Sequence, residues 1–174
     1  MRFPIPAFSW ADLALLLVIG VMPLIACGVL AWWVEKGRIG RFSLLGSLLL
    51  GAIIPAVACW QMRAMQLRVT ADALVLEAGI YRHTVALQDL QLERSQILPC
   101  NALGKWMSWR SNGIGLPHLQ AGWFRGDEGR VFAAIGTGGQ CVLLPGNEGT
   151  TLILSPQEPE KLLAVLHQQV VDRR

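Results

Sequence analysis

The side chains most able to perform chemistry in this chain are three histidines, and their settings do not predict catalysis. His83, His118 and His167 fall in a predicted strand, a predicted loop and a predicted helix, respectively. No HExxH or CxxC motif provides metal ligands around them, and no motif frames a serine as a nucleophile. We therefore predict a protein that is not an enzyme, with no catalytic residues, no metal site and no cofactor.

A glycine cluster, Gly136-Thr-Gly-Gly139, resembles a phosphate-binding loop. It lacks the lysine that such loops direct at the phosphates, and it lies between two predicted strands. Because glycine supplies the positive φ that tight turns require, the cluster predicts a hairpin turn instead.

The segment 99–121 is the strongest candidate for a binding site. It has no hydrophobic period over more than 20 residues, and loops of this length in compact domains are usually binding elements or disordered. Its tryptophans and glycines argue against disorder. Together with the strand that follows, it supplies the candidate binding residues Lys105, Trp106, Trp109, Arg110, His118, Trp123 and Arg125.

Two alternatives compete with that interpretation. The tryptophans at 106, 109 and 123 could close the hydrophobic core, since tryptophan is often buried. Four basic residues would indicate a binding site for an anionic lipid if their side chains converged on one pocket. Otherwise they would be solvent-exposed charges at the rim of the domain: Lys105, Arg110, Arg125 and Arg130.

Short apolar runs, separated by turn residues, predict the strands that must hold these side chains. The runs are 67–70, 73–78, 82–87, 90–94, 122–125, 130–135, 141–144 and 150–154. We predict about seven antiparallel strands in a small barrel or sandwich.

One helix follows the strands. Ser155, Pro156 and Glu158 provide a capping hydroxyl, a proline at the first helical position and a glutamate at the third. The apolar face beyond them predicts a helix that covers an open end of the barrel: Leu162, Leu163, Leu166 and Val170.

Two long apolar runs precede the strands. Residues 13–34 and 42–60 contain no formal charge, and about 20 apolar residues suffice to cross a bilayer core. We predict two transmembrane helices, about 10–34 and 42–60, that make residues 1–61 a membrane domain, with an extramembrane domain over 62–174. Pro23 should kink the first helix.

Two other interpretations apply to these runs. Leu24-Ile-Ala-Cys27 resembles the lipobox at which bacterial lipoproteins are cleaved, although the apolar run continues beyond it. Small residues recur at Ser43, Ser47 and Gly51, which favours close packing against Gly20 and Gly28 in a hairpin, or alternatively a dimer interface.

Charge excludes one class of partner and leaves the membrane orientation open. Residues 61–174 carry 11 Lys and Arg against 10 Asp and Glu, a balance that is untypical of nucleic-acid binding. The basic residues that flank the two runs are equal in number on the two sides, three against three. Cys100 and Cys141 could form a disulfide outside the cytoplasm or remain thiols inside it.

Three stretches carry a family resemblance: VTADALVLEAGIYRHTVALQDL, GIGLPHLQAGWF and LILSPQEPEKLLAVL. Over residues 63–170 the chain resembles the bacterial PH (pleckstrin homology-like) domain family. The resemblance implies a mainly-β split barrel of about seven antiparallel strands, capped by a C-terminal amphipathic helix and here preceded by a transmembrane α-hairpin. The family carries over no catalytic residue. His118 stands where glycine is expected after the proline.

These expectations define a membrane-anchored, non-catalytic binding or scaffolding module in the bacterial cytoplasmic (inner) membrane. Its expected partners are the membrane, a protein or a second copy of the chain, and an anionic lipid, but not nucleic acid. A membrane-bound enzyme, or an accessory subunit of one, is the alternative. Analogy with similar bacterial domains favours the cytoplasmic side of the membrane, with both cysteines reduced.

Overall fold

The computed structural model describes residues 1–7, 9–34, 38–63, 65–127 and 129–171. It divides into two compact units, one formed by Met1–Phe8 with Gln61–Arg174 and the other by Ser9–Trp60. The first eight residues therefore belong with the β-strands, whereas the sequence placed them with the membrane segment. We refer to these as the β unit and the helical unit.

The helical unit begins with helix α1, Trp10–Val34. The hydroxyl of Ser9 caps it by accepting a hydrogen bond from the backbone N–H of Asp12 at 3.4 Å, as the sequence predicts. The five residues Leu17–Val21 form a π-helical turn just before Pro23, and the N–H of Met22 bonds to the carbonyl of Leu17. Such a turn adapts the hydrogen-bond ladder to a proline, which has no N–H to donate.

Helix α2 is Arg38–Arg63, with Pro55 in its interior. Among the described residues, α1 is the one helix long and apolar enough to cross a membrane by itself. The apolar part of α2, Arg41–Val57, is shorter. The structure therefore supports a spanning helix at the N-terminal side of the chain in general terms, but it does not supply the second predicted span at full length.

The small residues of the helical unit are used inside the chain. A Cβ added to Gly28 would lie 2.5 Å from Oγ of Ser47, and one added to Gly51 would lie 3.2 Å from Cγ1 of Val21. The two helices thus run antiparallel where they touch, and the close approach depends on the missing side chains. Hairpin packing is confirmed, although Gly20 takes no part in it.

The described residues of the β unit form ten strands, numbered in chain order. They are β1 Arg2–Pro4, β2 Met65–Val69, β3 Ala73–Ala78, β4 Tyr81–Ala86, β5 Gln96–Pro99, β6 Trp109–Leu116, β7 Leu119–Gly126, β8 Gly129–Ile135, β9 Gln140–Pro145 and β10 Thr150–Leu154. One sheet has the order β1-β2-β3-β4 and the other β5-β9-β10-β8-β7-β6.

The mainly-β prediction is confirmed, but four of its details are wrong. The described strands number ten and not about seven, and β10 runs parallel to β8. Because β10 lies between β8 and β9, the glycine cluster at 136–139 connects strands that are not neighbours and is not a hairpin turn. The predicted strand 90–94 is a 3₁₀ turn, Leu92–Arg94, preceded by a single bridge from Leu90 to Gly146.

The N-terminal strand β1 was not predicted from the sequence. Its residues pair antiparallel with β2, and Phe3, Ile5 and Ala7 are buried. The carbonyl of Pro6 accepts hydrogen bonds from both the backbone N–H and the hydroxyl of Thr137. The glycine cluster therefore holds the start of the chain rather than a phosphate.

Helix α3, Pro159–Val171, packs on β9 and on the 3₁₀ turns around residues 87–94. Leu162 and Leu166 are fully buried, as its predicted apolar face requires. The helix begins later than predicted, because Ser155 does not cap it. Ser155 is itself buried, and its hydroxyl accepts the N–H of Gly136 at 2.8 Å.

Candidate functional site

The segment 99–121 is not the long irregular loop that the sequence indicated. It holds a 3₁₀ turn, Cys100–Ala102, and then strand β6, which pairs with β7 from Trp109 to Leu116. Strand β6 escaped detection because it is an exposed edge strand rich in glycine and polar residues, which leaves no alternating apolar pattern. Its pairing with β7 includes a bulge between Arg110 and Asn112.

Trp106 is a core residue. Only 8% of it is exposed, and it packs in one cluster with Leu103, Phe124 and Ile153. The amine of Lys105 lies above its ring, 5.2 Å from the ring centroid. For Trp106 the alternative, closure of the core, is therefore the correct interpretation, and the residue is not available to a partner at the surface.

The stretch 100–108 covers one face of the six-stranded sheet, so it has the structural role that the sequence did not reveal. A disulfide between Cys100 and Cys141 fixes it to β9, with the two Cα atoms 5.1 Å apart. Leu98 and Met107 pack against the same cluster. The expectation of two reduced cysteines is therefore wrong.

Three candidate side chains do lie together at the surface. Trp109 is the cross-strand partner of Arg125, and Arg125 is the cross-strand partner of Arg130. Directly opposed residues share a face of the sheet, so the three side chains form a row across β6, β7 and β8. Trp109 is 70% exposed, and both arginines are exposed. We call this set the Trp109 row.

The four basic residues do not converge. Arg110 pairs with Phe124, which faces the Trp106 cluster, and the guanidinium of Arg110 lies beside Gly115 on its own strand. Lys105 also lies on that side, above Trp106. Lys105 and Arg110 are therefore separated by the sheet from Arg125 and Arg130, and the condition set for a single lipid pocket is not met.

Trp123 lies two residues before Arg125 on β7, so it shares the face of the Trp109 row, and it is half-buried between the two sheets. Its ring packs edge-on against Phe132 and His83, with centroids 5.2 and 4.9 Å apart, and the Arg130 guanidinium lies 4.6 Å from its centroid. Burial, and secondarily the positive charge of Arg130, lower the pKa of His83 from its ordinary value of 6.5. His83 is thus mainly neutral near pH 7, and its ring packs against Trp123 and Phe132.

His118 lies in the two-residue turn between β6 and β7 and is exposed. No described non-glycine residue has a positive φ, so the turn does not need glycine at position 118. Glycine is needed elsewhere in this hairpin, where Gly113 lies directly opposite Gly122 and the two strands approach closely. A Cβ on either would lie 2.5 Å from a backbone oxygen of the other strand, and Gly122 has φ 117°.

The described part of the β unit also has clefts, two of which lie beside β4 and beside α3. One, of about 140 Å³, is lined by β4 and the β9–β10 turn, including His83, Asp89 and Thr150. The other, of about 690 Å³, lies between the 3₁₀ turns and Val170 of α3. In the described ranges no three histidine, cysteine or acidic residues are grouped as metal ligands.

No family model, no curated protein and no solved structure matches this chain. The resemblance to the bacterial PH family therefore stays a prediction, and function has to be argued from the site. The sequence-based list of candidate binding residues did not include Arg130 or His83, although both were considered in other roles. The Gly126-to-Gly129 turn was the available signal for Arg130, because pairing those glycines places Arg130 opposite Arg125.

Proposed function

We propose that this protein is a non-catalytic binding or scaffolding module of PH-like class, anchored in the bacterial cytoplasmic membrane by a transmembrane hairpin. The observation that carries the proposal is the pairing of β1 with β2. Residues 9–60 form the connection between these two antiparallel strands, so the helical unit is an insertion in a β-hairpin.

This pairing favours two passes through the membrane. Both ends of the helical unit enter one folded β unit, so both must emerge on the same side of the bilayer. If α1 crosses, the chain has to cross back, and α2 supplies the return helix. Cleavage before Cys27 would remove β1 and its buried residues Phe3, Ile5 and Ala7, which argues for an uncleaved anchor.

The disulfide supports placing the β unit on the outer side of the membrane. Disulfides persist in oxidising compartments and are rare in the reducing cytoplasm. Cys100 and Cys141 lie in the β unit, whereas the unpaired Cys27 and Cys59 lie in the helical unit. We therefore propose the extracytoplasmic orientation, opposite to that expected by analogy.

The Trp109 row is the proposed contact surface. A 70% exposed tryptophan beside two exposed arginines is the composition that recurs at binding hot spots, where large planar side chains supply most of the contact energy. Among the described residues of the β unit, the other large exposed apolar side chains are Met1, Ile80 and Val171. Ile80 therefore offers a matched control.

Photo-crosslinking in native membranes tests the binding function. A photoreactive amino acid at position 109 is expected to capture a partner, whereas the same amino acid at position 80 is not. Equal capture at both positions, or none at 109, would contradict the proposed surface.

Reporter fusions test the orientation. Alkaline phosphatase joined to the C-terminus is expected to be active, because it needs the oxidising side of the membrane to form its own disulfides. An inactive phosphatase fusion, together with a fluorescent cytoplasmic reporter at the same point, would place the β unit in the cytoplasm.

A further inference from the structure

Strand β6 forms the outer edge of the six-stranded sheet. It is eight residues long and pairs with β7 on one side, and no described strand pairs with its other side. Its first four residues are exposed. An edge of this kind presents unpaired backbone N–H and C=O groups that an extended peptide can use.

The formal charges on β6 and β7 have one sign. Residues 109–126, which comprise these two strands and their turn, contain Arg110 and Arg125 and no aspartate or glutamate, and Asp127 follows them directly in the turn to β8. Arg130 adds a further positive charge as the direct neighbour of Arg125. Like charges opposed across a sheet destabilise it, and within the described part of the chain no salt bridge involves either arginine at the 4.0 Å limit. An incoming carboxylate would relieve this repulsion.

We propose that the free edge of β6 accepts an extended acidic segment of a partner protein as an additional strand. This proposal rests on the binding function proposed above and specifies its partner. The segment would bond to the backbone of β6 and place carboxylates near Arg110 on one face and Arg125 on the other. The Trp109 indole would cover an apolar side chain between them.

A second copy of the chain fits this edge less well. Two β6 strands brought together would carry Arg110 and Arg125 of both copies into one interface, with no described acidic residue in 109–126 to compensate. Opposed like charges suppress such pairing. Charge complementarity therefore favours an acidic partner over self-association.

Binding of defined peptides to the full-length protein in lipid nanodiscs tests the proposal. The probes are a fluorescent peptide that repeats Glu-Glu-Val-Val, which places carboxylates on both faces of a strand, the corresponding Lys-Lys-Val-Val peptide, and the acidic peptide with every backbone nitrogen methylated. Fluorescence anisotropy is expected to rise for the acidic peptide only. Methylation is expected to abolish binding, because it removes the donors needed for strand addition.

Charge reversal supplies the specificity control. Arg110→Glu with Arg125→Glu should weaken binding of the acidic peptide at least about tenfold and permit binding of the lysine peptide. Arg94→Glu replaces an exposed arginine that bonds to Gln91 away from β6, and it should change the binding of neither peptide. An unfolded variant would bind neither peptide and is recognised by its circular dichroism, in which case Arg125→Gln provides the weakening test.

Three results would overturn the inference. Equal binding of the methylated peptide would mean an electrostatic surface without strand addition, and no binding of the acidic peptide would remove the proposed partner class. A dimer of the full-length protein that dissociates on Arg110→Glu would assign the edge to self-association. If a photoreactive residue at position 109 captures a partner in membranes but the acidic peptide does not bind, the proposed binding function is kept. Only the acidic strand as its partner is then rejected.

Discussion

Phe3 lies directly opposite Leu67 in the β1–β2 pair, and both side chains are buried in the core of the β unit. The whole helical unit separates these two residues along the chain. The terminal amine of Met1 reinforces the contact by donating to the carbonyl of Val69 at 2.6 Å. The β unit is therefore built from residues on both sides of the helical unit in the chain, and its stability depends on residues that precede the first helix.

Replacing Phe3 by alanine should destabilise the β unit by about 3 to 5 kcal/mol, as loss of a large buried aromatic side chain does. Arg2→Ala, on the exposed neighbour, is the matched control and should have little effect. Thermal unfolding of the full-length protein in detergent, followed by near-ultraviolet circular dichroism, measures the difference. Equal midpoints for the two variants would show that β1 contributes nothing to the fold.

Replacing residues 9–60 by a short glycine-serine linker should give a soluble, folded β unit. The N–H of Ile5 bonds to the carbonyl of Met65 at 3.4 Å, so the strands that flank the helical unit are adjacent, and a linker of about six residues, at about 3.3 Å each, is the replacement to test. Cooperative unfolding of the monomer measures success. A chain that aggregates unless residues 9–60 are restored would contradict the independence of the β unit.

The Cys100–Cys141 disulfide closes a loop with a sequence separation of 41 residues. By the chain-entropy estimate, its reduction should lower the free energy of unfolding by about 4 kcal/mol. Urea unfolding with and without reductant measures this difference. Alkylation of the purified, denatured protein without reductant should label Cys27 and Cys59 alone. Labelling of all four cysteines would contradict both the bond and the proposed orientation.

Alanine replacement should lower the free energy of unfolding at Trp106, whereas at Trp109 it should remove partner capture. Trp106 is buried, so Trp106→Ala should cost about 3 to 5 kcal/mol. Trp109 is 70% exposed, so Trp109→Ala should leave the unfolding midpoint nearly unchanged while abolishing partner capture. Urea unfolding and crosslinking from the exposed position 111 read out the two effects. A large loss of stability in Trp109→Ala would assign that residue to the core as well.

His83 should make the β unit less stable in acid. Its pKa is lowered in the folded state by burial and by Arg130, so below about pH 6.5 the unfolded chain binds the proton more readily. Stability is therefore fully present above that pH and is lost as the pH falls toward the folded-state pKa. Urea unfolding at neutral pH and at about pH 5 should show a smaller loss in His83→Gln than in the native chain.

The exposed His167 provides the comparison for that titration, because its Nδ1 lies against the carbonyl of Leu163 on the surface of α3. His167→Gln should retain the acid sensitivity of the native chain. If it abolished that sensitivity while His83→Gln did not, the assignment to His83 would be wrong.

The sequence by itself determined the features that depend on local order along the chain. The uncharged run of α1, the capping Ser9, the small residues at Gly28 and Ser47, and the apolar face of α3 all follow from periodicity, hydropathy or capping preference. Most strands of the β unit were likewise visible as short apolar runs.

Tertiary structure decided the rest, because the deciding contacts join residues far apart in the chain. Strand β1 is too short to carry a pattern and exists because β2 pairs with it. Strand β6 lacks an apolar alternation and is fixed by β7, whose register also divides Arg110 from Arg125. Trp106 and Trp109 have similar local sequence, and only the sheet beneath them buries one and exposes the other.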